Sequence, residues 1–494
     1  MAEKKRILFI SDSIKRKTGY ATVARNIIQR LVKSGKYEIA QLGLADVPTP
    51  VDLPIHYYSM LKNHDKCCHR GRIIEYVTPN DPTIKMMKLE PSVPLHENQH
   101  PCIQGQPDGN DNYGYISVYY VIQHFKPDIV VPINDVWGLY NIVHLRNRRC
   151  FKFVPYMAID SECLFPAINI PNPSIKLPPV DPMLTVEKSD TCVVFTDWAQ
   201  KVINKTAKLL NKPEFNNMVT IPHGVDNNQW RPLDNRAELR KKYFNLDNKA
   251  LLIGSVARNQ PRKRLDGIMQ VLRFFIDNYE KDRKIMAYFH CSLEDRMGWP
   301  LTWLARYYGV EDRCIFDPRL KPGIGPTEEQ LNEIVNCFDV HLSLTNSEGW
   351  HLPALETIAA GIPTVITDYS AHADWGKGAL VLTKVAGYEH EPRTGFIKAI
   401  ADIPSAAKHI KLIAESPILA KEWKTKGLKL ANKLDWDKVI VKWEKLLDSI
   451  DLSDLSPSRY DDPFVSDPSM PDFTLTNFPK QEDLFDRSKV EQVS

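Results

Sequence analysis

Apolar residues along the chain fall into short continuous runs that alternate with segments of helical spacing. Arg6 to Ser11 is a continuous apolar run, Asp12 to Gly19 is polar and basic, and Tyr20 to Lys33 repeats apolar residues at helical spacing. That order predicts strand, loop and helix, the opening of an α/β domain. Tyr37 to Leu44 and Ile55 to Tyr58 read as further short strands, while Pro79 to Asn112 is rich in Pro, Asn, Asp and Gln and reads as a long surface excursion. Ile116 to Phe125 predicts a helix, and Asp128 to Ile133 and Phe151 to Ile159 predict buried strands. After the proline-rich stretch Pro166 to Pro182 come a short helix and the strands Thr191 to Phe195 and Met218 to Ile221.

The second half repeats the pattern. Ala250 to Val256, Lys284 to Phe289, Cys314 to Phe316, Val340 to Leu344 and Thr364 to Thr367 read as strands between helical segments such as Leu265 to Tyr279. Strands alternating with helices imply parallel sheets covered on both faces, and such sheets place ligands at the carboxyl ends of their strands. Asp435 to Ile450 carries Trp436, Val439, Trp443 and Leu446 on one helical stripe. The expected division is residues 1–230, residues 231–434, a closing helix at 435–451 and an acidic tail at 452–494. Rich in Pro, Asp and Ser, that tail is expected to be disordered, with Phe464, Phe473, Phe478 and Phe485 as docking points.

At 494 residues the chain exceeds one ordinary core, and 43% hydrophobic with 25% charged residues suits a globular enzyme. A net charge of +3 gives no global field for nucleic acid or membrane. No stretch has the length of a membrane span and none at the start has the form of a signal peptide, so a cytoplasmic location is expected. Nine scattered cysteines fit reduced thiols; His64, Cys67, Cys68 and His69 lie close together but off the usual zinc spacing, and read as a loop.

Candidate chemistry concentrates in Ser347-Glu348-Gly349-Trp350-His351-Leu352-Pro353-Ala354-Leu355-Glu356, which follows a buried strand. Pro353 suits a first helical turn and Gly361 a helix end. Glu348 then sits on the strand-to-helix loop, Glu356 in the helix behind it, and the helix N-terminus points free N–H groups at the same space. The segment resembles glycosyltransferase family 4, in which two glutamates separated by seven residues stand in a Glu-Gly-aromatic-X-Leu-Pro context. A second match, Gly254 to Asp266, carries Arg258 and Lys263 at the spacing of the pair that neutralises the donor diphosphate in that family, with Arg262 as added charge and Arg264 in place of the usual glycine. Ile221 to Asp226 and Tyr369 to Trp375 extend the likeness, which runs from about Lys5 to Ile450.

The resemblance implies a GT-B architecture, two Rossmann-like parallel-sheet domains facing a cleft with the C-terminal helix crossing back to the first. It implies a retaining, metal-independent hexosyltransferase with a nucleotide sugar as donor and no cofactor. Glu356 would hold the ribose, and Glu348, with Gly349, Trp350, His351 and Leu352, the donor sugar. His351 departs from the family's small residue; it either bonds a sugar hydroxyl or phosphate or narrows the pocket. In the first half, Gly19 lies where relatives let backbone approach donor phosphates or acceptor, and Asp160 and Asp135 follow strands as acceptor-binding or proton-accepting groups, or as helix caps. The acceptor is not readable. Two rivals stand beside this reading: a sugar-nucleotide epimerase, and a non-catalytic nucleic-acid-binding protein using Lys15, Arg16, Lys17, Arg146, Arg148, Arg149 and Phe151. Nucleic acid otherwise enters only as acceptor.

Overall fold

The computed structural model describes residues 3–46, 51, 53–61, 72–78, 81–90, 118, 121, 122, 125–143, 150–164, 182–247, 249–280, 284–321, 324–392, 394–456, 459 and 460. The cluster His64, Cys67, Cys68 and His69, the residues Arg146, Arg148 and Arg149, the stretch 165–181 and the tail phenylalanines lie outside these. No described helix is long and apolar enough to cross a membrane.

Two sheets organise the chain. The first holds β1 (Arg6–Asp12), β2 (Glu38–Asp46), β3 (His56–Leu61), β4 (Arg72–Thr78), β5 (Asp81–Glu90), β6 (Ile129–Asp135), β7 (Lys152–Phe153), β8 (Tyr156–Ala158), β9 (Cys192–Val194) and β10 (Met218–Thr220). Its order is β10-β9-β8-β6-β1-β2-β3-β5-β4, with β7 also beside β6. All these pairings are parallel except β4 with β5. The second sheet holds β11 (Leu251–Val256), β12 (Ile285–His290), β13 (Cys314–Phe316), β14 (Val340–Ser343), β15 (Thr364–Thr367) and β16 (Val381–Thr383), all parallel, in the order β13-β12-β11-β14-β15-β16. A separate antiparallel pair, β17 (Val385–His390) and β18 (Ile397–Ala401), follows. The two parallel-sheet α/β domains are the GT-B architecture.

Continuous apolar strands do form the sheet centres, because a parallel strand covered on both faces has no solvent side. In β1 the middle five residues are buried, and so are the first five of β11. The surface excursion over Pro79 to Asn112 needs correction. Its first part is β5, beside the edge strand β4, and an edge pair forms without the unbroken apolar run used to recognise buried strands. The single strand expected over Phe151 to Ile159 is two, divided at Pro155, whose missing N–H breaks a ladder.

The helix Trp436–Ser449 crosses back onto the first domain. Its carbonyl end is tied down by Lys5 Nζ, which donates to Leu447 O at 2.8 Å and Ile450 O at 2.8 Å, and Tyr37 donates to Asp448 at 2.5 Å. Gly224 is required beneath it, since a Cβ there would lie 2.6 Å from the Trp436 ring. The domains also meet elsewhere: Arg25 pairs with Glu328 at 2.5 Å, Trp198 N–H donates to Asp374 at 3.1 Å, and Ser161 Oγ donates to Ile397 O.

Candidate active site

In the second sheet the strand order reverses between β11 and β14, so the loops leaving these neighbours diverge and open a crevice at their carboxyl ends. Residues 257–264 form one loop and 344–351 the other. Glu348 stands on the second, 5% exposed. Its carboxylate takes a hydrogen bond from Thr345 Oγ1 at 2.9 Å, one from Lys263 Nζ, and pairs with an Arg262 nitrogen at 2.7 Å. Ser370 Oγ accepts its backbone N–H at 3.0 Å. Burial alone would raise the Glu348 pKa, but the Arg262 and Lys263 charges outweigh it and hold the carboxyl well below its usual range. Burial and the Arg262 charge lower Lys263 to about 8, against the pull of Glu348.

Arg258 lies elsewhere. Its side chain is 64% exposed and paired with Asp295 at 2.5 Å. The residue beside Lys263 in the crevice is Arg262, which sequence spacing registered only as extra charge. A one-turn 3-10 segment, Pro261–Lys263, followed by Arg264 at φ 49, folds the loop so that consecutive residues 262 and 263 both reach Glu348. A glycine at position 264 would suit that left-handed φ; here an arginine adopts it and is held by Asp266 at 2.9 Å.

Of the motif's other members, Trp350 is buried and stacked on Trp375, centroids 4.9 Å apart. Its ring is committed to packing. Gly349 lies against the first domain, where an added Cβ would stand 3.2 Å from that of Ala158. Leu352 faces Gly19, whose added Cβ would meet it at 3.6 Å. His351 adopts φ 82, a conformation costing a residue with a Cβ about 1–2 kcal/mol. Its Nδ1 accepts the Ala354 N–H at 3.1 Å, so the neutral ring carries its proton on Nε2 and donates to Ser343 Oγ at 2.8 Å. Both ring nitrogens are thus used within the protein. The expected array of free N–H groups at this helix start is also reduced, because Pro353 has none and that of Ala354 is capped.

Glu356, in the helix Leu352–Ala359, opens instead on a cleft between the domains, lined also by Thr22, Arg25, Asn26, Glu328 and Trp436. Burial, with the Glu328 charge adding, pushes its carboxyl up to about 8. Across the crevice the first domain presents carboxylates at the ends of its own strands. Tyr20 donates to Asp135 at 2.6 Å and Thr18 to Asp12 at 2.5 Å. Asp135 is raised to about 6, burial being the main cause, opposed by the Tyr20 bond. Asp160 follows β8, and its charge acts on Arg262, Lys263 and Asp135. Sequence reasoning gave Arg262 only as added charge and Ser370 no role, since nothing local marks which polar side chain of a loop turns inward.

No protein-family model matches the chain, and no curated protein matches its sequence. Solved structures match in fold. Sucrose-phosphate synthase from Thermosynechococcus elongatus is 12% identical with a TM-score of 0.61, over 90% of this chain and 98% of that one. OtsA is 13% identical with a TM-score of 0.59, over 91% and 100%. HepE from Anabaena, solved in complex with UDP and glucose, is 12% identical with a TM-score of 0.56, over 90% and 100%.

Proposed function

We propose that the protein is a retaining, metal-independent glycosyltransferase, akin to family 4, that moves a sugar from a nucleotide-diphosphate donor to an acceptor hydroxyl. The observation that carries this reading is the buried cluster of Arg262, Lys263 and Glu348 at the switch point of the second sheet, with Glu356 in the helix that follows the Glu348 loop. HepE, which shares the fold, holds UDP and glucose, and that likeness supports a nucleotide-sugar donor.

In this mechanism Lys263 and Arg262 neutralise charge that develops on the departing diphosphate, a task otherwise given to a metal ion. Glu348 accepts hydrogen bonds from the donor sugar, and Glu356 from the ribose hydroxyls. Arg258 exchanges Asp295 for the diphosphate only if its exposed side chain swings inward. The bond from the anomeric carbon to the diphosphate breaks as the acceptor oxygen bonds that carbon on the same face. The acceptor proton passes to the departing diphosphate oxygen. Asp160 and Asp135 position the acceptor.

The nucleic-acid-binding rival loses support, because its described cations have internal roles: Lys17 Nζ donates to Gly325 O at 2.8 Å, and Lys15 lies over the Tyr57 ring at 4.9 Å. The deciding experiment is a panel of nucleotide sugars with and without acceptors, run in EDTA, with proton NMR of the product. Nucleotide release and an α-linked product from an α-donor are expected. Donor conversion without nucleotide release would select the epimerase, loss of transfer in EDTA would overturn metal independence, and a β-linked product would make Asp160 or Asp135 a catalytic base.

A further inference from the structure

Eight residues, 344–351, connect the last residue of β14 to the helix that starts at Leu352. A loop of that length leaves a carboxylate many orientations unless its ends and middle are fixed. The side chain of Glu348 is gripped by Thr345, Lys263 and Arg262, and its backbone by Ser370. Two of those holds, Lys263 and Arg262, are cations that a donor diphosphate would draw away. Thr345 and Ser370, with the backbone bonds of Asn346 to Arg262 and Ala399, still hold the middle of the loop, but none of them joins its two ends.

His351 spans the loop's two ends. Its ring bonds Ser343 at the close of β14 and Ala354 in the first helical turn, 4% exposed, with the rings of His341 and His372 at 6.1 and 6.0 Å. A small residue at this position would suit the positive φ better but could make neither bond. We propose that His351 is a positioning residue, a neutral imidazole brace that closes the 344–351 loop so that Glu348 keeps its aim at the donor sugar after Lys263 and Arg262 turn to the diphosphate. The ring touches no donor atom in this role. The proposal rests on the transferase reading for its substrate but not for its geometry.

Three variants test it: His351→Gly, His351→Asn and Ser343→Ala. Gly removes the ring and relieves the backbone; Asn accepts left-handed φ and can cap Ala354 but is too short to reach Ser343. Ser343→Ala breaks the brace without touching the backbone. For a brace, His351→Gly and Ser343→Ala each lower turnover about tenfold while affinity for the bare nucleoside diphosphate stays within about twofold, and Asn does not restore the rate. Wild-type turnover in both variants, or an equal fall in nucleotide affinity and rate, would overturn it. Hydrogen–deuterium exchange at residues 348–350 needs no substrate and separates the two readings. It should rise at least about tenfold in His351→Gly and Ser343→Ala if the ring holds the loop. Unchanged exchange sinks the brace whether or not a donor is found, whereas raised exchange in a chain that turns over no nucleotide sugar sinks only the transferase reading.

Discussion

The two faces of the interdomain crevice are built differently. On the second domain, Glu348, Lys263 and Arg262 are locked together within one domain, by bonds that join loops 85 residues apart. On the first domain, Asp12, Asp135 and Asp160 are like charges on separate strand ends, tempered by the neutral donors Thr18 and Tyr20. Under the proposed transfer, a face that meets the same diphosphate each time would gain from charges fixed in advance, because they need no reorganisation as the leaving group departs. Repelling carboxylates, of which buried Asp135 is raised to about 6, instead suit hydroxyls, for which the exchange of a proton or of a hydrogen bond is the only adjustment needed.

The largest effect should come from the locked side. Lys263→Ala is expected to lower turnover about 100-fold with the acceptor KM little changed, as for loss of a charge that stabilises a transition state; steady-state kinetics showing less than about threefold loss would dissolve the contrast. Glu356→Ala should weaken nucleotide binding about tenfold by calorimetry while leaving the Glu348 cluster intact. Asp160→Asn should act on the opposite face, raising the acceptor KM about fivefold with nucleotide affinity within about twofold. If nucleotide affinity fell instead, the faces would not be separate. Arg258→Ala is expected to cost less than Arg262→Ala, since Arg258 sits outside the crevice on Asp295.

A smaller effect concerns stability. Burial lowers His223 and His341 to about 3 and His290 and His372 to about 4, with the Asp317 charge opposing at His290 and the Glu348 charge at His372, so these four bind protons more readily unfolded. Their contribution is complete above the ordinary 6.5 and is lost as pH falls toward 4. Glu356 at about 8 and Asp135 at about 6 act the opposite way, but they are two groups against six, since burial lowers His351 and His409 as well. The melting temperature should therefore decline from pH 6.5 to pH 4, and a rise over that range would show that the histidines are not buried as described.

Much of this was legible beforehand. The strand–helix alternation located β1, β11, β12 and β14, and the helix end at Gly361, with φ 79, followed from its glycine. The two carboxylates lie as their spacing requires, Glu348 on the loop and Glu356 in the helix. The edge strand β4, its neighbour β5 and the hairpin of β17 and β18 were not legible, because strands outside a buried sheet centre need no unbroken apolar run. Nor was the loss of Arg258 from the crevice: its spacing to Lys263 matches the family pair, yet a 3-10 turn brings Arg262 in its place.

The chain by itself determined the alternating elements, the parallel sheets they form and the stretch where chemistry concentrates, because periodicity and motif spacing are properties of neighbours along the sequence. Only the tertiary structure decided which cations face Glu348, that His351 spends both nitrogens on Ser343 and Ala354, and that Asp160 acts across the crevice on Arg262. Those outcomes depend on where loops distant in sequence meet in space, and on which polar atoms must find partners once that meeting excludes water.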